Sequence, residues 1–138
     1  MAVSAALRRQ IRALDANRCA YCRAPEALSV ATFEIDHIVP ASADGQTVAS
    51  NLCLACPLCN RSKGVWQTAL DTSTESVVPL FNPRRDTWAA HFAWDDEVVA
   101  ISGLTPTGRA TVLALQMNRP QIVRLRRLWL KIGVQLSD

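Results

Sequence analysis

Two Cys-x-x-Cys pairs, Cys19 with Cys22 and Cys56 with Cys59, are the residues whose types and spacing speak first of chemistry. Four thiolates so spaced are the donor set of a tetrahedral structural Zn²⁺ site. The pairs lie further apart than in a simple zinc ribbon, so a segment is inserted between the halves of the clip. A redox role is the rival reading, and two pairs flanking one insert favour zinc. Cys53-x-x-Cys56 fits the same pattern, but Leu52-Cys53-Leu54 reads as strand, where a buried free thiol is ordinary, so Cys56 with Cys59 is preferred. The insert contains "EIDHIVP", in which Asp36 and His37 set a carboxylate beside an imidazole. On a regular strand their side chains leave opposite faces, and a bulge or turn at Pro40 would bring both toward one site. Asn60 directly follows the second pair, either as a loop residue or as a side chain that the zinc turn aims at a site.

The elements that must position these groups follow from local pattern. "SAALRRQIRALD" sets Leu7, Ile11 and Leu14 at helical spacing, which predicts a short amphipathic helix leading into Cys19. "SVATFEIDHIVP" is rich in β-branched and aromatic residues and reads as a strand stopped by Pro40. "ASADGQTVASNLCLAC" holds an Asp-Gly turn signal and then an apolar stretch, predicting a loop and a second strand ending near Cys56. Asn60 is a good N-cap, so a helix is expected to start there, with Gly64 weakening it. Ser/Thr-rich "DTSTES" near residues 71 to 76 is the expected joint to a second half.

Beyond Val77, "VVPLFNPRRDTWAAHFAW" brings prolines and aromatics, and "DDEVVAISGL" reads as a turn and a strand. "TPTGRATVLALQM" opens with a Thr-Pro pair suited to an N-cap and first helical position. "NRPQIVRLRRLWLKIG" repeats that logic from Arg119 to Ile132, with Ile122, Leu125, Trp129 and Ile132 on one stripe and a stop at Gly133. Trp88, Trp94 and Trp129 are expected in the core, and His91 as a packing residue. The expected organisation is a zinc-clipped module over residues 1–76 and an extension over 77–138 with a strand and two helices.

A chain of 138 residues with about half its composition apolar has room for one ordinary domain, or a very small module with an extension. "MAVSAALRRQIRAL" interrupts its apolar pattern with arginines, unlike a secretory signal, and no stretch is long and apolar enough to span a membrane. A cytoplasmic setting, in a bacterium or phage, is expected. Through Ser76 seven basic residues balance seven acidic ones, so the net charge of +3 arises entirely after it. Arg119 to Lys131 holds five basic residues and no acid. That run suits a phosphate backbone, with Arg124 and Arg127 as contacts, or a solvated helix face. The apolar stripe of the same helix equally suits a homodimer.

"CAYC", "EIDHIVPASADG" and "SNLCLACPLCNRSKG", in that order over roughly Arg18 to Gly64, resemble the HNH endonuclease family of the ββα-metal (His-Me finger) fold. The resemblance implies an α+β chain with a ββα-metal core clipped by a four-cysteine zinc site and a C-terminal α/β extension. His37 stands where the family has the general base that activates water, and Asp36 where it has a metal ligand. Asn51 matches the middle Asn that holds the loop to its strand. Asn60 takes the third signature position, where many members have His. An amide oxygen is a hard ligand, better suited to Mg²⁺ or Mn²⁺ than an imidazole.

Hydrolysing a phosphodiester requires a base for the water and positive charge for the developing alkoxide. A neutral imidazole accepts that proton near pH 7, and a divalent ion on Asp36 and Asn60 would act as Lewis acid and template. Arg61 and Lys63 stand beside the second zinc turn, as phosphate contacts or as solvated charges at a helix start. The expected activity is a metal-dependent DNA endonuclease or nickase. The other readings are a zinc-stabilised nucleic-acid-binding module without cleavage, and a protein-interaction adapter using the C-terminal helices.

Overall fold

The computed structural model describes residues 2–137. They form two compact units, one running up to Gln67 and including Asn82–Asp86, the other comprising Thr68–Phe81 and the chain from Thr87 onward.

In the first unit, α1 (Ala5–Leu14) starts at Ser4, whose Oγ accepts from Leu7 N at 3.1 Å. Its buried residue is Ile11. Asp15 caps the other end, and Ala16 and Asn17 adopt left-handed backbone that turns the chain toward Cys19. The Cys19–Cys22 turn is tied to the sheet by Ala20 N donating to Leu54 O at 2.8 Å.

Strand β1 (Glu34–His37) pairs antiparallel with β2 (Leu52–Ala55), in register Glu34 to Ala55, Asp36 to Cys53 and His37 to Leu52. The longer strand expected over 29–40 is cut to these four residues because β2 offers only four to pair with. A 3₁₀ turn at Ala49–Asn51 precedes β2, and a helix follows it. All four residues of β2 are buried, the mark of a short strand covered on both faces.

Helix α2 (Pro57–Lys63) completes the ββα unit and begins earlier than expected. Its N-cap is Cys56, whose sulfur accepts from Cys59 N at 3.4 Å, and Pro57 takes the first helical position, where a missing N–H costs nothing. Asn60 is therefore inside the helix and not its cap. Arg84, carried in by Asn82–Asp86, grips Asp15 with two 2.8 Å bonds and donates through Nε to Leu52 O at 2.8 Å. That gives the Asn82–Asp86 segment a structural role: it fastens the end of α1 to the start of β2.

The second unit opens with the hairpin β3 (Thr68–Asp71) and β4 (Ser76–Pro79). The "DTSTES" stretch is its turn: Asp71 accepts from Thr74 Oγ at 2.8 Å and from Ser73 N, and Glu75 takes a left-handed φ. Then come α3 (Trp88–His91), β5 (Phe92–Trp94), its antiparallel partner β6 (Ile101–Gly103), α4 (Pro106–Ala114) and α5 (Pro120–Lys131). Thr105 caps α4 as its sequence suggested, accepting from Gly108 N at 3.0 Å.

The stripe of α5 differs from the expected one. Ile122, Arg126 and Trp129 are its buried residues, whereas Ile132 is 71% exposed and Leu125 38%. Arg126 donates to Val99 O, Met117 O and Asn118 Oδ1 and lies over the Trp94 ring, 5.2 Å from its centroid. Three carbonyl-type acceptors and an aromatic face allow a guanidinium to occupy a core position that the apolar pattern assigned elsewhere. Trp88 and Trp94 are half-buried, and His91 bonds Thr105 through Nδ1 at 2.6 Å with its ring edge-on to Phe81. Among the described residues no helix is long and apolar enough to cross a membrane.

Candidate functional site

The Sγ atoms of Cys19, Cys22, Cys56 and Cys59 all lie within 4.8 Å of one another and are buried. Cys22 and Cys56 are 3.8 Å apart, which is the separation of about 3.8 Å that two sulfurs keep on one Zn²⁺ at ~2.3 Å bonds. The cluster fits zinc, and Cys53 lies outside it, its sulfur 3.7 Å from Asp36 Oδ2. Hydrogen bonds from Cys19, Cys22 and Cys59 hold the Cys56 thiol well below its ordinary range, while burial pushes Cys19 up. A Zn²⁺ ion in their midst would displace the protons they share.

Tyr21, between the first two cysteines, donates its hydroxyl to Asp36 Oδ2 at 2.8 Å. The Cys19–Cys22 turn thereby reaches Asp36. Asp36 is 4% exposed, and the ammonium of Lys63, itself 2% exposed, lies 3.3 Å away. Burial raises the Asp36 carboxyl above its usual range; Lys63 and the Tyr21 hydrogen bond pull the other way. Both Asp36 oxygens thus face protein groups, Oδ2 the Tyr21 hydroxyl and Oδ1 the Lys63 ammonium at 3.4 Å.

Lys63 also departs from expectation. Its Nζ donates to His37 O and Ile38 O, both at 3.2 Å, so it is an internal clamp on the end of β1 and not a phosphate contact. The physical reason is helical spacing: Lys63 is one turn beyond Cys59, on the face of α2 that the zinc turn forces inward.

His37 is half-exposed at the end of β1, its Nε2 3.0 Å from Thr47 Oγ1 in the connecting loop. That loop is held by Asn51. Its Oδ1 accepts from Val39 N at 2.8 Å and its Nδ2 donates to Val39 O and Gln46 O, each at 2.9 Å. Gly45 lies so close under this bridge that a Cβ there would run into the Val39 carbonyl.

Asn60 projects from α2 toward β1, where its Nδ2 donates to Glu34 Oε2 at 2.7 Å. The structure thus joins Asn60 to Glu34, Asp36 to Tyr21 and Lys63, and His37 to Thr47. No hydrogen bond among the described residues links His37 to Asp36 or Asn60. Arg61 is exposed one residue beyond Asn60. In the second unit Arg124 is exposed, and Arg127 sits 3.5 Å from Glu97 in a solvent-facing pair.

Sequence reasoning missed Tyr21, Glu34 and Thr47. Glu34 had a readable signal, since it stands two residues before Asp36 and alternate strand residues share a face. Tyr21 and Thr47 had none: a tyrosine in a zinc turn and a threonine in a loop acquire partners only through the tertiary fold.

A model of the HNH endonuclease family matches residues 19–65, about a third of the chain. An alignment 66 positions long is 41% identical to the CRISPR-associated endonuclease Cas9 of Corynebacterium diphtheriae, covering 44% of this chain and 6% of that protein. The chain thus spans only a small part of the curated relative it matches. No solved structure matches. Two cysteine turns, two antiparallel strands and a helix fill the stretch that matches the HNH endonuclease family model, the arrangement of a ββα-metal core with a four-cysteine cluster able to hold zinc.

Proposed function

We propose that this chain is a metal-dependent DNA endonuclease or nickase that hydrolyses phosphodiester bonds with His37 as general base. The observation that carries the reading is His37 itself, half-exposed at the end of β1 in the family-matched segment, with one ring nitrogen engaged by Thr47. If Thr47 Oγ1 accepts the Nε2 proton, the lone pair sits on Nδ1, ready to take a proton from water. Asn51 serves this chemistry from a distance, fixing the loop that carries Thr47 against the backbone just after His37.

A divalent ion, Mg²⁺ or Mn²⁺, would supply Lewis acidity at the scissile phosphate and charge for the leaving oxygen. The residues present fit such an ion: Asn60 offers a hard amide oxygen, and Glu34 and Asp36 are carboxylates on one face of β1. Zinc in the four-cysteine cluster would hold the frame. Arg61 near Asn60 is suited to an adjacent phosphate, and Arg124 and Arg127 to a backbone contact elsewhere on DNA. Incubating zinc-replete protein with supercoiled plasmid and Mg²⁺, Mn²⁺ or EDTA tests this reading. Nicked or linear product with a divalent ion and none with EDTA is expected; DNA binding without cleavage under every metal would favour a zinc-stabilised binding module.

A further inference from the structure

We propose that Trp66 is a stacking platform for an unpaired base of DNA held at the His37 site, which makes single-stranded or locally opened DNA the substrate class; the inference rests on the nuclease reading above. Trp66 lies just beyond α2, and its indole is 67% exposed, with Val65 beside it 65% exposed. The other tryptophans differ. Trp129 is buried, and Trp88 and Trp94 pack their rings on each other with centroids 5.8 Å apart.

Backbone geometry fixes where the indole stands. Gly64 ends α2 at φ +54°, a left-handed value that suits glycine, and its N–H still donates to Asn60 O at 2.9 Å. The chain turns there, and Trp66 N donates to Lys63 O at 3.1 Å. Lys63 is also the residue whose ammonium holds His37 O and Ile38 O. The carbonyl and the side chain of one lysine thus tie the backbone of Trp66 to that of His37, which keeps the ring stationed beside the site.

Charge selects the occupant. From Ala55 to Leu70 the chain holds Arg61 and Lys63 and no acid. Lys63 is internal, whereas Arg61 is exposed and shares a face of α2 with Leu58, itself 43% exposed. The acid that reaches α2 from β1, Glu34, is engaged by Asn60. A cation next to an uncovered indole suits a polyanion that carries aromatic rings: Arg61 takes phosphate and Trp66 takes the face of a base. Paired DNA keeps its base faces stacked, so the indole gains one only where the duplex is open. Every base has such a face, and Trp66 therefore senses the state of the strand without reading its sequence.

Anisotropy of labelled mixed-sequence DNA, presented as a single strand and as its duplex to the full zinc-loaded chain without added Mg²⁺ or Mn²⁺, tests the assignment apart from cleavage. Trp66→Leu, which keeps an apolar side chain without the ring, is expected to weaken single-strand binding about 5- to 100-fold and duplex binding by less than about twofold. Trp66→Phe keeps a ring and is expected to bind the single strand within about threefold of wild type, while the quenching of tryptophan fluorescence that the single strand causes in wild type largely disappears. Residue 66 is exposed, so both variants should match wild type in circular dichroism. The assignment is overturned if Trp66→Leu binds the single strand like wild type, or loses both forms of DNA equally. If Trp66→Leu shows the selective loss but wild type cuts no DNA with any divalent ion, the nuclease reading falls and the stacking site stands.

Discussion

Thr47 engages the Nε2 side of the His37 ring at 3.0 Å, and in the proposed mechanism its hydroxyl oxygen accepts the Nε2 proton, which leaves Nδ1 as the basic nitrogen. Thr47→Val keeps the shape of the side chain and removes the acceptor. Its turnover is expected to fall about 10- to 100-fold, the usual loss when the orienting partner of a site histidine is removed, with KM for DNA little changed. A pH–rate profile alongside kcat and KM checks this, since a purely structural role would not shift the profile. At this scale the sequence disclosed residue types better than residue states. Asp36, His37, Asn51 and Asn60 stand out by spacing, yet the pairing of Asp36 with Lys63 depends on how α2 rolls onto β1 once the zinc turn is closed. A lysine with an open aliphatic stem and a charged head looks the same on paper whether it meets phosphate or three buried acceptors.

The elements of the first unit are too short to stand by themselves. Two four-residue strands and a seven-residue helix form a nucleus below the size that a hydrophobic core alone stabilises, so the four-cysteine cluster must supply the difference. Cys22→Ser, or zinc removal by a strong chelator, is expected to unfold this unit, read as loss of far-ultraviolet circular dichroism; a native-like spectrum would contradict it. The order of elements up to α2 was legible because each carried a local signal: helical spacing, β-branched runs, an Asp-Gly turn. The start of α2 was not, because a cysteine sulfur acting as N-cap has no propensity signature. Nor was the β3–β4 hairpin, whose Ser/Thr-rich turn resembles a linker until Asp71 caps it. Arg109 grips Asp71 with bonds of 3.1 and 2.9 Å and holds its carboxyl down at about 2, with Thr74 and Ser73 assisting. A carboxyl depressed in the folded state contributes stability that is complete above its unfolded value of about 4 and disappears as pH falls through about 2. Acid titration of thermal stability should therefore show wild type losing its advantage over Asp71→Asn between about pH 4 and about 2.

Across the whole molecule, charge is the property that sequence counting describes least well. The five basic residues between Arg119 and Lys131 looked equivalent, but Arg126 is spent inside the second unit, and Lys63 is likewise spent inside the first. Arg61 and Arg124 remain exposed. If these bind phosphate, log K for DNA falls with log salt, and each Arg→Ala substitution lowers the magnitude of that slope by about 1. Lys63→Met leaves the slope unchanged, provided the variant folds. Fluorescence anisotropy of a labelled duplex across a salt series reads all three. An affinity indifferent to salt would point instead to the protein-interaction reading.

The most direct test of the central claim is the single-turnover rate of plasmid cleavage by His37→Ala beside wild type, both zinc-loaded and matched in circular dichroism. Removing a general base at the reacting water predicts a loss of at least about 100-fold with DNA affinity retained. Cleavage by His37→Ala at the wild-type rate would contradict the assignment of His37 and, with it, the proposed mechanism.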